Sequence, residues 1–208
     1  MLVAFEGIDG SGKSTLAKAV ARRLRARRLT VVLTQEPTES PLGRLVRRGI
    51  RDHYDPLVQA GLFLSDRAWH VLQLAPNLLK DEIVLTDRYV DSTTAYQSAA
   101  LDGRLDDPVG TFSTLQSSVF PRPDLVLWLD LPPRAALRRI RGRTVKEAYE
   151  KERFLKRVRA NYRLLARKDR KRWLRLDATQ TQAQLAKLAT EAILARQAVR
   201  KSRTAESA

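Results

Sequence analysis

Residues 5–15 read FEGIDGSGKST and constrain the fold more than any other stretch of the chain. Gly7, Gly12, Lys13 and Ser14 stand in the spacing G-x4-G-K-S, the Walker A pattern. Glycines at those points let successive backbone N–H groups turn inward around phosphate. A lysine there reaches the β- and γ-phosphates, and the serine hydroxyl ligates Mg²⁺. The pattern carries this meaning only between a strand and a helix, where the helix N-terminus also favours an anion. Both neighbours are predicted: 2-LVAFE-6 is a short apolar run, and Leu16, Val20 and Leu24 recur at helical spacing over 13–28. One residue is out of place in an anion cradle, the carboxylate of Asp9.

The remainder repeats the strand-then-helix alternation. Strands are predicted at 30-TVVLTQE-36, 82-EIVLTDR-88, 124-DLVLWLDL-131 and 173-WLRLDA-178, and the first three read as strands buried on both faces. Helical spacing places Leu57, Leu64, Val71 and Leu74 together over 57–75, and Phe154, Val158, Tyr162 and Leu165 together over 154–168. An Ala/Leu/Gln-rich helix follows at 181–199. The expectation is an α/β fold with a five-stranded parallel sheet covered by helices. The 208 residues, 43% apolar, suffice for one domain over 1–200, with a short lid at about 141–153 and a frayed polar tail at 201–208. Cysteine is absent, which removes disulfides and thiolate sites. No apolar stretch has a membrane-spanning length, and the first apolar run is cut by Glu6 without a basic segment before it. A cytoplasmic protein with no membrane partner is expected.

Charge divides the chain unevenly. Residues 1–131 carry 16 Lys+Arg and 16 Asp+Glu, whereas 132–208 carry 23 and 7, so the whole excess of +16 lies in the last third. Such a surface suits polyanions, or is simply a solvated basic helical face.

Three further groups bear on chemistry. The third strand ends in Asp87-Arg88-Tyr89, where an acid can hold a Mg²⁺-bound water and an arginine can bridge two phosphates. Phe63 and Arg67 are four apart on one helical face, a ring to stack a base and a guanidinium to hold a nucleotide. His70 reads as a partly exposed helix residue. No guanine-reading N/T-K-x-D is present, and Asp107-x-x-Gly110 follows no apolar strand, which argues against a GTPase.

Taken in order and spacing, FEGIDGSGKST, 35-QEPT-38, 62-LFLSDR-67, 87-DRYVDSTTAYQ-97, 147-EAYEKERF-154 and 158-VRANYRLLA-166 resemble the thymidylate kinase family over about residues 1–180. The resemblance implies a P-loop NTPase fold of the nucleoside monophosphate kinase type, a homodimer, and transfer of the ATP γ-phosphoryl to dTMP. It implies that Gly7, Ile8, Asp9, Gly10, Ser11, Gly12, Lys13, Ser14 and Thr15 hold ATP, with Ser14 and, through water, Asp87 on Mg²⁺. It places Phe63 on thymine, Arg67 on the base and acceptor side, and Arg88 on the dTMP phosphate. Thr93 and Gln97 fall at the thymine edges, with Ser92 beside them. Tyr96 packs against the deoxyribose, and Glu36 and Pro37 form the turn beside the acceptor phosphate. Asp9 is implied to face the acceptor sugar, with Arg67 or Arg88 as its counter-charge.

Some members carry an arginine immediately after this acid; here the position is Gly10, so a lid arginine is expected, Arg143 first and Arg141 second. The segment 36-EPTESPLG-43 replaces the EPGG form of many bacterial members. Two competing readings remain. One is a kinase of the same fold with another nucleotide or deoxynucleoside acceptor. The other is a basic P-loop protein binding nucleic acid through 134–175, against which stands the lack of interleaved exposed aromatics.

Overall fold

The computed structural model describes residues 1–80, 82–140 and 145–206. Five strands, β1 (Leu2–Glu6), β2 (Val31–Gln35), β3 (Ile83–Asp87), β4 (Leu125–Asp130) and β5 (Trp173–Asp177), form one sheet in the order β2-β3-β1-β4-β5. Every pairing is parallel. The three central strands are buried along their whole length. Both faces are covered, which is why β3 and β4 read as apolar runs and not as alternation. β2, expected to be buried in the same way, is an edge strand in which only Val31 is buried. The first strand in sequence lies in the middle, and the chain winds to either side of it. Such a sheet opens a crevice at the carboxyl ends of its central strands.

Eight helices are described: α1 (Lys13–Arg25), α2 (Pro41–Arg51), α3 (Pro56–Leu79), α4 (Val90–Ala100), α5 (Pro108–Val119), α6 (Pro133–Arg139), α7 (Val145–Lys168) and α8 (Gln182–Glu206). Four of them, α2, α3, α5 and α6, open on proline in the first turn, where its missing N–H costs nothing. The Asp107 that mimics a GTPase motif caps α5, its side chain accepting from Gly110 N–H at 2.9 Å.

One hydrophobic core joins the sheet to α1, α7 and α8. Leu16, Val20 and Leu24 are buried as the spacing predicts. On α7 the buried face is Leu155, Val158, Tyr162 and Leu165; Phe154, expected on that face, packs against the core half-buried and also lines a cavity. On α3, Leu74 is buried but Leu57 is 58% exposed, because the helix begins beyond the edge of the core. Helix α8 runs past residue 199, where the sequence pattern placed its end. Residues 182–206 contain no glycine or proline and are rich in Ala, Arg, Lys and Glu, so α8 continues through Glu206.

Candidate active site

The register Phe5↔Asp87 sets the end of β1 beside the end of β3. The first strand runs on into the loop 7–12, the other into Arg88. That single pairing brings the Walker A loop and the Asp87-Arg88 pair together.

The loop is shaped for an anion. At Gly7, φ is +143° and an added Cβ would lie 2.6 Å from the Leu129 carbonyl oxygen, so no side chain fits. Gly12, left-handed at φ 97°, opens α1 with no side-chain cap, leaving the first-turn N–H groups for a ligand. Lys13 is buried and its Nζ donates to the Ile8 carbonyl at 3.0 Å. Burial, and then the nearby Arg88, push the Lys13 pKa down to about 7. It is a cation short of an anion. Ser14 Oγ donates to Asp87 Oδ2, while Asp87 Oδ1 and Ser11 Oγ are buried with no partner. An orphaned carboxylate oxygen beside a hydroxyl suits a hydrated Mg²⁺. Among the described residues no trio of His, Cys, Asp or Glu could hold a metal alone.

Asp9 lies on the loop's other side. Arg88 Nη2 donates to its Oδ1 at 2.5 Å, and its backbone N–H donates to Tyr96 Oη at 2.9 Å. Burial works against the charge, but Arg88 and Lys13 outweigh it and hold the carboxyl below the usual range. Its counter-charge is therefore Arg88, not Arg67. Arg88 itself sits at φ +73°, a strained conformation for a residue with a side chain. Its guanidinium reaches Ser92 Oγ at 3.2 Å and lies 5.1 Å from the Tyr96 ring centre.

Arg67 is 1% exposed and fully engaged in a polar network. Its Nε donates to Glu36 Oε2 at 3.0 Å, its Nη2 to Glu36 and to Thr93 Oγ1, and its Nη1 to Gln116 Oε1. Gln116 is oriented in turn, since its Nε2 donates to Val90 O and Thr94 Oγ1. His70, expected to be partly exposed, is buried between Glu36 Oε1 (2.9 Å) and Thr34 Oγ1 (2.8 Å). It faces inward because α3 packs this side against the end of β2. Asp66, its neighbour on the same helix, accepts from Thr38 N–H and from the Thr38 and Ser40 hydroxyls, tying the turn 36–40 to α3. A cis peptide joins Glu36 to Pro37 in that turn.

These groups enclose a cavity of about 340 Å³ lined by Asp9, Glu36, Pro37, Phe63, Arg67, Arg88, Ser92, Thr93, Tyr96 and Gln97, all ten acceptor-side residues expected from sequence. Phe154 and Lys151 also line it, from a region legible only as the end of a lid. Phe154 meets Tyr96 edge-on at 6.1 Å between ring centres. A larger cleft of about 480 Å³ borders Ser14 and Asp87 on the far side, but no arginine lines it.

Four residues of the site escaped sequence reasoning. Gln116 and Lys151 belong to no recognisable pattern. Arg139 on α6 reaches over the loop, its Nη2 donating to Ala178 O at 3.1 Å and its Nη1 lying 3.5 Å from Gly10 O. Glu6 is fully buried, and its carboxylate accepts from Tyr89 N–H, Ser92 N–H, Ser92 Oγ and Tyr162 Oη. A charge ending an apolar strand was the available signal for it. At Gly10 an added Cβ would come 2.7 Å from the Ala136 carbonyl oxygen, so α6 leaves no room there for the arginine some relatives carry. Arg143 and Arg141, the expected lid arginines, lie outside the described residues.

A parallel sheet with a Walker A loop after its central strand, opening beside an arginine-lined acceptor cavity, defines a P-loop phosphotransferase. The thymidylate kinase family model matches residues 5–188. A "Probable thymidylate kinase" of Methanospirillum hungatei is 41% identical over 194 residues, covering 93% of each chain. Another, of Natronomonas pharaonis, is 39% identical over 195 residues, 93% of this chain and 97% of that one. The crystal structure of thymidylate kinase from Ehrlichia chaffeensis superposes with a TM-score of 0.73 at 26% identity, covering 93% of this chain and 98% of that one. The chain belongs to the thymidylate kinase family.

Proposed function

We propose that the protein transfers the γ-phosphoryl group of ATP to the 5′-phosphate of dTMP, giving ADP and dTDP, with the two nucleotides meeting between Lys13 and Arg88. The observation that carries this is the shared position of Asp9 and Arg88. Both border the loop and the 340 Å³ cavity, so one ion pair faces both substrates. ATP phosphates lie on residues 7–15 with Lys13 on the β- and γ-groups. Mg²⁺, held by Ser14 and through water by Asp87, supplies positive charge to the transferring group. In the cavity Phe63 stacks on thymine, Arg67, Thr93 and Gln97 read its edges, Tyr96 packs on the deoxyribose and Arg88 grips the phosphate. Asp9 accepts from the 3′-hydroxyl.

An acceptor phosphate oxygen attacks the γ-phosphorus while the bond to the β–γ bridging oxygen breaks, so no proton must be removed first. What the site must overcome is repulsion between two anions, and fixed positive charge does that. A deoxynucleoside acceptor would instead need a general base at its hydroxyl. Two carboxylates line the cavity: Asp9 is poorly basic because Arg88 and Lys13 stabilise its charge, and Glu36 is already held by Arg67 and His70. This favours the monophosphate. The lid arginine that completes the charge is Arg143, or failing it Arg141, within a lid at about 141–153 of a single 1–200 domain acting in the cytoplasm. ADP release measured across dTMP, dUMP, dCMP, AMP and thymidine tests the assignment; an acceptor better than dTMP overturns it.

A further inference from the structure

We propose that a basic groove along α7 and β5, away from the kinase site, binds the phosphate backbone of duplex nucleic acid without regard to sequence. The groove joins two concavities of about 440 and 410 Å³ that share Arg163. Lys156, Arg159, Arg163 and Arg167 recur every three or four residues on α7, and Arg170 continues the row just past the helix. At about 1.5 Å per residue, Lys156 to Arg167 spans roughly 16 Å, a length over which one strand of a duplex carries about five charges counted along its axis at about 3.4 Å each. The row lies beside the buried Leu155, Val158, Tyr162 and Leu165, so packing of α7 onto the sheet fixes its direction.

Neutralisation within the protein is incomplete along this row. The buried Asp130 takes Arg159 and Arg175, and Glu152 takes Lys156 and Arg134. Arg163, Arg167 and Arg170 are exposed and form no ion pair among the described residues, and no carboxylate lines the concavity they surround. These cations belong to the third of the chain that carries the whole net charge of +16. The two aromatic rings in the groove, Trp128 and Trp173, are only 4% and 9% exposed, so bases have nothing to stack on. Contact is therefore with phosphates, and a guanidinium row fits them. None of the loop or acceptor-cavity residues lines the groove, so occupancy leaves the loop and the acceptor cavity open.

Fluorescence anisotropy with short duplexes of two unrelated sequences, titrated from about 50 to 200 mM salt, tests this. The expected result is equal affinity for both duplexes and a log–log salt slope of about −3 or steeper, three arginines each releasing a counterion. The triple variant Arg163→Ala/Arg167→Ala/Arg170→Ala should flatten that slope by roughly 3. Removing equal charge from the end of α1 and the turn after it, as Arg22→Ala/Arg23→Ala/Arg27→Ala, should leave the slope in place. Both variants should keep the wild-type melting temperature and dTMP-dependent ADP release, and activity is read separately so that the kinase assignment stands or falls alone. The proposal is overturned if no duplex binds at about 50 mM salt. It is equally overturned if the two triples weaken binding alike, as bulk charge would, or if inorganic polyphosphate binds where duplex does not.

Discussion

At the scale of single residues the site is a set of charges waiting for partners. Lys13 is the clearest case: burial and Arg88 hold its pKa near 7, and the Ile8 carbonyl is a weak substitute for phosphate. Bound phosphates favour the ammonium and raise that pKa. Above about pH 7 nucleotide binding should therefore take up a proton, and affinity should weaken as pH rises. Titration calorimetry in buffers of different ionisation enthalpy reads the uptake directly; a heat independent of buffer at pH 8 refutes it. Asp9 makes the complementary prediction. Asp9→Ala removes the partner of Arg88 and the proposed sugar contact, so KM for dTMP should rise roughly 10- to 100-fold, a charge-assisted hydrogen bond's worth, with ATP affinity near normal. A larger loss for ATP would mean the carboxylate faces the donor. Arg88→Ala, which strips charge from the transferring group, should lower kcat by about 10³-fold or more.

Among elements, α4 shows how the acceptor wall is held in place. It carries Ser92, Thr93, Tyr96 and Gln97, yet its sequence, VDSTTAYQSAA, is a weak helix former, and its N-cap residue Tyr89 supplies no side-chain cap. The cap comes from another strand: Glu6 accepts the N–H groups of Tyr89 and Ser92. Burial, and next the charge of Asp91, push the Glu6 pKa up to about 7. A raised carboxyl pKa contributes stability that is complete below the unfolded value of 4.5 and is lost as pH climbs through about 7. Glu6→Gln keeps an oxygen for the two N–H groups and turns its amide to hydroxyls that can accept. Wild type should therefore lose ground to Glu6→Gln between about pH 4.5 and 7 in urea melts, and parallel pH curves would refute this. The same helix marks the limit of sequence reading. The strands, α1 and the loop were legible because periodicity and glycine spacing are local signals. Phe63 and Arg67 were legible as a pair because four residues make one helical turn. Gln116 and His70 were not, since only the packing of α5 on α4 and of α3 on β2 gives Gln116 its arginine and His70 its carboxylate. The second role of Phe154, which packs on the core and also walls the cavity, is not legible, because a phenylalanine in an apolar stripe looks the same with or without it.

For the whole molecule, the surface that the kinase site does not use carries an unpartnered apolar stripe. On α3, Val58, Trp69, Leu72 and Leu79 are 51%, 48%, 67% and 87% exposed. At 100° per residue they fall within one narrow face, and at about 1.5 Å per residue they extend over roughly 30 Å of helix. Exposed Leu45 on α2, the helix packed against α3, adds apolar area beside it. A stripe of that length, made of large aliphatic and aromatic side chains, is more than scattered surface leucine accounts for. The same stripe of a second copy, packed helix against helix around a two-fold axis, would cover it. Phe63 and Arg67, which line the proposed acceptor cavity, lie on the same helix, so such association would also brace that wall. Sedimentation velocity at micromolar concentration should show a dimer, and the melting temperature should rise with protein concentration. Leu72→Glu places a charge at the middle of the stripe and should shift the sedimenting species to monomer and lower the melting temperature. A wild-type monomer across that range would show that α3 is covered by something other than itself.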